Sequence, residues 1–105
     1  MSFLIEPMYR IPKELYKTSL KRWGVDEQDR MLMEECGELI TILNHHHRGR
    51  CSLGNVANEL VDVRIMIEQK MMSMFDMGFP IGGFDDLYNL KLKRLAIRVD
   101  FPEEF

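Results

Sequence analysis

Apolar residues recur every three or four positions along this chain, and the recurrences fall into four segments separated by proline and glycine. Pro12 suits the first turn of a helix running to about Arg22, with Gly24 just past its end. Asp26 can cap a second helix, with Asp29 adding acid to its first turn, that reaches His46 or His47. Arg48, Gly49 and Arg50 then break the pattern. Ser52 can cap a third helix that continues to about Met77 and stops at Gly78. Residues 79–83 read as a loop. Asp85 or Asp86 opens a fourth helix ending near Val99, and Pro102 prevents its continuation. Few segments alternate with period two, so the expected class is all-α: a four-helix antiparallel bundle with short connections.

The second and third segments carry an anomaly. Leu32, Cys36, Leu39 and Leu43 form one apolar seam, and beside it runs Met31, Glu35, Glu38 and Ile42. The ends of that second seam are apolar and its middle is two carboxylates. Glu34 lies one turn from Glu38 on the same side. On the third segment Val56, Leu60, Val63 and Ile67 make a seam, with Ala57, Val61 and Ile65 as a further apolar flank, so this helix should be central. Yet Glu59 and Asp62 lie three apart on one of its faces, followed by Met66.

Buried, unpaired carboxylates are costly and repel one another. Neither helix offers a cation at a convenient turn except Arg64, which belongs to another face. A divalent ion answers the need, and all-oxygen ligands favour Mg²⁺ first and Mn²⁺ second. A di-iron site needs Glu-x-x-His on each of two helices. Here Thr41 follows Glu38 by three and Asp62 follows Glu59 by three. The plainer alternative is a pair of solvated acidic faces.

Bulk properties narrow the picture. The 105 residues fit one domain, and 46% hydrophobic with 30% charged content fits a globular protein. A formal net charge of -3 argues against a nucleic-acid partner. Acid gathers between Asp26 and Glu38, and base gathers at Lys91, Lys93, Arg94 and Arg98. No signal peptide and no bilayer-length apolar run is visible, so a cytoplasmic protein with no membrane partner is expected. Cys36 and Cys51 lack metal or redox spacing and read as reduced thiols, Cys36 as core filler. The nine Met residues read mainly as adaptable core packing. His45, His46 and His47 read as a helix end, where positive charge is favourable, ahead of a metal site.

These residues resemble the motifs of a known family. Glu34-Glu35-Cys36-Gly37-Glu38-Leu39 and then Glu59-Leu60-Val61-Asp62-Val63, with the twenty residues from Leu39 to Asn58 between Glu38 and Glu59, resembles the EExxE…ExxD signature of the MazG-like all-α nucleotide pyrophosphohydrolases. Lys21-Arg22-Trp23-Gly24, Ile65-Met66-Ile67-Glu68-Gln69 and Lys91-Leu92-Lys93-Arg94-Leu95 resemble the small single-domain members of phages and Gram-positive bacteria. The resemblance spans roughly residues 15 to 98 and implies hydrolysis of a nucleoside triphosphate to the monophosphate and pyrophosphate. By motif position, it implies that Glu35, Glu38, Glu59 and Asp62 hold Mg²⁺ and that Glu34 is an outer ligand or the base orienting water. It makes Lys91 and Arg94 ligands of the β- and γ-phosphates, with Asn89 a further candidate. Trp23 or Tyr88 could stack on a base, against a plain core role. The family works as dimers or dimers of dimers, so a homodimer or homotetramer is expected. Two rivals stay open: a phosphoribosyl-ATP or dUTP enzyme of the same superfamily, and a non-catalytic helical dimer that keeps the acids as a structural metal clip.

Overall fold

A computed structural model of the chain describes residues 11–102. Among them there are three helices and no strand: α1 Lys13–His47, α2 Leu53–Asp76 and α3 Gly83–Arg98. The class is all-α as expected, but the expected count of four helices is corrected to three. The first two predicted helices form one element, because helical geometry resumes immediately after Gly24. Gly24 itself has φ 80° and ψ 168°, a conformation that is essentially reserved for glycine. It therefore marks a break within α1. Asp26, expected as a cap, lies inside the helix that resumes there.

The helix ends follow local chemistry. The Asn55 amide donates to Ser52 Oγ at 3.2 Å, and the Ser52 amide donates to Asn55 Oδ1 at 3.0 Å. That reciprocal pair opens α2 where Ser52 was expected to cap it. At the C-terminal ends, Arg50 N–H donates to the His45 carbonyl and Gly49 N–H to that of His46. Phe79 with Met74, and Gly78 with Phe75, repeat the arrangement after α2. Phe101 with Ala96, and Asp100 with Ile97, repeat it after α3. All three are Schellman closures, with Gly49, Gly78 and Asp100 at positive φ. The three histidines occupy the last turn of α1, as expected.

Among the described residues, those up to Ser73 form one compact unit and those from Met74 a second. In the first, the buried line of α2 is Val56, Glu59, Val63, Met66 and Ser73, with Gln69 beside it. This corrects the expected seams: Ala57, Leu60, Val61, Ile65 and Ile67 are exposed. On α1 only Tyr16 and Gln28 are buried, and α2, expected to be central, buries one stripe and leaves the rest of its circumference exposed or half-buried. Met31, Leu32, Glu35, Leu39 and Ile42 are half-buried. Cys36, expected as core filler, is exposed, and so is Met33 at 65%. Trp23 is also exposed and is no core residue.

In the second unit, Phe75, Phe79 and Phe84 cluster. Ring centroids lie 5.6 Å apart for Phe75 and Phe84, edge to face, and 4.5 Å apart for Phe79 and Phe84. The loop from 79 to 83 thus serves packing. α3 starts at Gly83, two residues before the earlier of its expected starts, and Asp85 and Asp86 lie within its first turn, where negative charge is favourable. A Cβ at position 83 would stand 2.6 Å from Phe79 Cε2 and 2.9 Å from Cζ. Gly83→Ala should therefore lower stability by about 1–3 kcal/mol through overpacking, outweighing the gain of up to about 1 kcal/mol that alanine brings to a helix. Urea unfolding of the two proteins checks this, and an unchanged or higher midpoint rejects the close packing.

Candidate metal centre

The half of α1 that follows Gly24 and the first half of α2 are joined by the short connection at residues 48–52. On α1, Glu35 and Glu38 are one turn apart. On α2, Glu59 takes the place in the buried seam where Val56 and Val63 stand one turn either side. Glu59 is 7% exposed. One carboxylate oxygen from each of Glu35, Glu38 and Glu59 lies within 4.8 Å of the others. Among the described residues this is the one group of three or more acidic, histidine or cysteine side chains close enough to share an ion.

Three carboxylates at that spacing cannot all carry full charge without a counter-charge. Glu59 bears the consequence: its carboxyl is pushed up to about 7. The first cause is its hydrogen bond with Glu35, followed by burial, by hydrogen bonding with Glu38 and by the negative charge of both neighbours. Glu59 thus holds its proton up to near neutral pH. Glu35 Oε2 and Glu59 Oε1 are also buried with no hydrogen-bond partner. Orphaned buried acceptors on two members of a three-carboxylate cluster are what a hard cation satisfies, so the residues present fit Mg²⁺ or Mn²⁺.

A cleft of about 580 Å³ opens beside the cluster, lined by Glu34, Gly37, Glu38, Thr41, Ile42 and Glu59. Of the residues expected from sequence, Glu35, Glu38 and Glu59 are brought together, and the exposed Glu34 lies on the cleft wall. Asp62, half-buried one turn further along α2, is outside the close group. Trp23 is exposed just before the break in α1. Lys91, Arg94, Asn89 and Tyr88 are exposed on α3, in the second unit.

Sequence reading missed the polar side chains around the Gly24 break. Gln28 is 3% exposed and donates from Nε2 to Ser19 Oγ and to Gln69 Oε1, each at 3.0 Å. Gln28 lies one heptad before Glu35, on the same stripe of α1, and that spacing was the available signal.

Comparison of the chain with protein-family models, with curated proteins and with solved structures finds no match.

The cluster sets a pH dependence. A carboxyl whose pKa is raised in the folded state, from 4.5 to about 7, binds more protons folded than unfolded. Stability of the metal-free protein should then fall as pH rises from about 4.5 through about 7. Mn²⁺ must displace the Glu59 proton, so its affinity should rise over pH 6 to 8. Calorimetry in buffers of different ionisation heat should show up to about one proton released per ion near pH 6. Affinity independent of pH, with no proton release, would sink this account.

Proposed function

We propose that the protein is a Mg²⁺-dependent nucleoside triphosphate pyrophosphohydrolase of MazG-like type, releasing a nucleoside monophosphate and pyrophosphate. The observation that carries the reading is the meeting of Glu35, Glu38 and Glu59 beside an open cleft. A bound divalent ion would supply charge neutralisation for the triphosphate and a more acidic water. Glu35, Glu38 and Glu59 would hold it, with Asp62 as the fourth carboxylate. Glu34, on the cleft wall, would orient the attacking water by accepting its proton. Lys91 and Arg94, three apart on an exposed face of α3, are the proposed partners of the β- and γ-phosphates. Asn89 and Trp23 are further proposed substrate contacts.

The open cleft beside the cluster, with Glu34 on its wall, favours this reading over a purely structural metal clip. Glu59 replaces an apolar residue in the seam of a helix whose other positions could have supplied one. A fold stabilised by packing alone has no use for three converging acids beside a cleft. No helix among the described residues is long and apolar enough to cross a membrane.

The proposed assembly is a homo-oligomer in which a second copy completes a four-helix bundle. Met33, Cys36, Ile40 and Leu43 repeat at three, four and three residues along an exposed stripe of α1, and Leu53, Leu60 and Ile67 repeat at seven along α2. Ile40 is 70% exposed. Apolar stripes at heptad spacing on both helices of one hairpin suit a partner hairpin of the same sequence.

Incubation with a panel of ribo- and deoxyribonucleoside triphosphates and Mg²⁺ should release pyrophosphate. Glu38→Gln should lower the rate by about a hundredfold or more. No release from any substrate, with Glu38→Gln equal to wild type, defeats the enzymatic reading. Ile40→Glu should shift the sedimenting species from an oligomer to a monomer, and a monomeric wild type defeats the assembly.

A further inference from the structure

Three consecutive residues of α2 hold both sides of the break in α1. The Tyr16 hydroxyl donates to Glu68 Oε1 at 2.6 Å, and the Ser19 hydroxyl donates to Gln69 Oε1 at 2.5 Å. Both partners precede Gly24. Beyond it, Gln28 Nε2 donates to the same Gln69 oxygen, and Lys70 pairs with Asp29 at 2.8 Å. Gln69 is thus the common acceptor for the two halves of α1.

This clasp is not built for stability. Gln28 Oε1 is buried without a partner, and Gln69 Nε2 has only the Met66 sulfur, at 3.4 Å, a weak acceptor. An orphaned buried acceptor is costly, and replacing such a polar pair with apolar side chains of similar volume is often neutral or stabilising. What a polar pair gives that leucine cannot is direction. Its hydrogen bonds are made in one axial and rotational arrangement, and buried polar residues are best attested as setters of register.

The spacing shows what is being registered. Ten residues separate Gln28 from Glu38 on α1, and ten separate Glu59 from Gln69 on α2. In an antiparallel pair, the arrangement that sets Gln28 against Gln69 also sets Glu38 against Glu59, about 15 Å away. Three carboxylates pressed together tend to slide or splay the helices. The connection at residues 48–52 restrains one end, and the clasp restrains the other. The acidic cluster lies between.

We infer that Gln28 and Gln69, with Ser19, are positioning residues that hold the two helices in the register at which Glu35, Glu38 and Glu59 converge, at a cost in stability. The metal arm of the test rests on the proposed reading of the site, and the distance arm does not.

The double variant Gln28→Leu with Gln69→Leu is compared with wild type in full-length protein, with Cys36→Ala and Cys51→Ala in both. Spin labels at the exposed positions Arg30 and Ala57 report the α1–α2 register without metal. The expected result has three parts. The thermal midpoint is equal or higher, the distance distribution broadens or shifts by about one helical turn, ~5 Å, and Mn²⁺ affinity falls about tenfold or more. An unchanged distance distribution overturns the inference whatever the metal result, as does a variant that melts lower or fails to fold. A wild type that binds no Mn²⁺ counts against the proposed site, and the distances alone then decide for or against the clasp.

Discussion

A carboxylate at a core position is the constraint on which the first unit of this protein depends. Glu59 stands between Val56 and Val63 on the one buried seam of α2, and the residues facing it on α1 are two more glutamates. Hydrophobic burial draws the helices together along the whole seam, while this one layer opposes it. The proton that Glu59 keeps relieves part of the repulsion up to near neutral pH, and a divalent ion would relieve it further. The same layer that weakens the packing is therefore the layer able to hold a ligand.

The rest of the fold is arranged around that conflict. The core is small, with Tyr16, Val56, Val63 and Met66 as the buried apolar side chains of the first unit. Much apolar surface is left outward on both helices, and the polar clasp beyond Met66 adds direction and little energy. Such a hairpin stands close to the limit of what a small core can support, so its ends are carefully terminated. Each helix finishes in a closure that satisfies its last carbonyls, and Ser52 and Asn55 cap each other at the start of α2.

Much of this was legible in the sequence. The acids stood out because two pairs interrupted apolar stripes, and glycine and proline marked nearly every helix end. What could not be read was which stripe of α2 faces α1. That helix is apolar around most of its circumference, so periodicity offers several seams and only the partner chooses among them. The choice fell on the stripe containing Glu59, which left Leu60 and Ile67 outside. Gly24 was read as a terminus because glycine after a basic turn usually is one. The helix resumes because α2 supplies partners on both sides of the break, a long-range fact absent from local pattern. Gln28 and Gln69 were passed over for the same reason, since amides are usually surface residues. The cluster of Phe75, Phe79 and Phe84 explains a loop to which no task had been given.

The break at Gly24 also separates the helical phase of the acidic site from that of the chain before it. In an unbroken helix, one inserted or deleted residue turns everything on the far side by about 100° relative to the near side. Glycine at φ 80° interrupts that transmission, so the angular phase of Glu35 and Glu38 is counted afresh from Val25. The segment from Lys13 to Trp23 is then coupled to the site through the contacts of Tyr16 and Ser19 with Glu68 and Gln69, and not through the continuous phase of one helix.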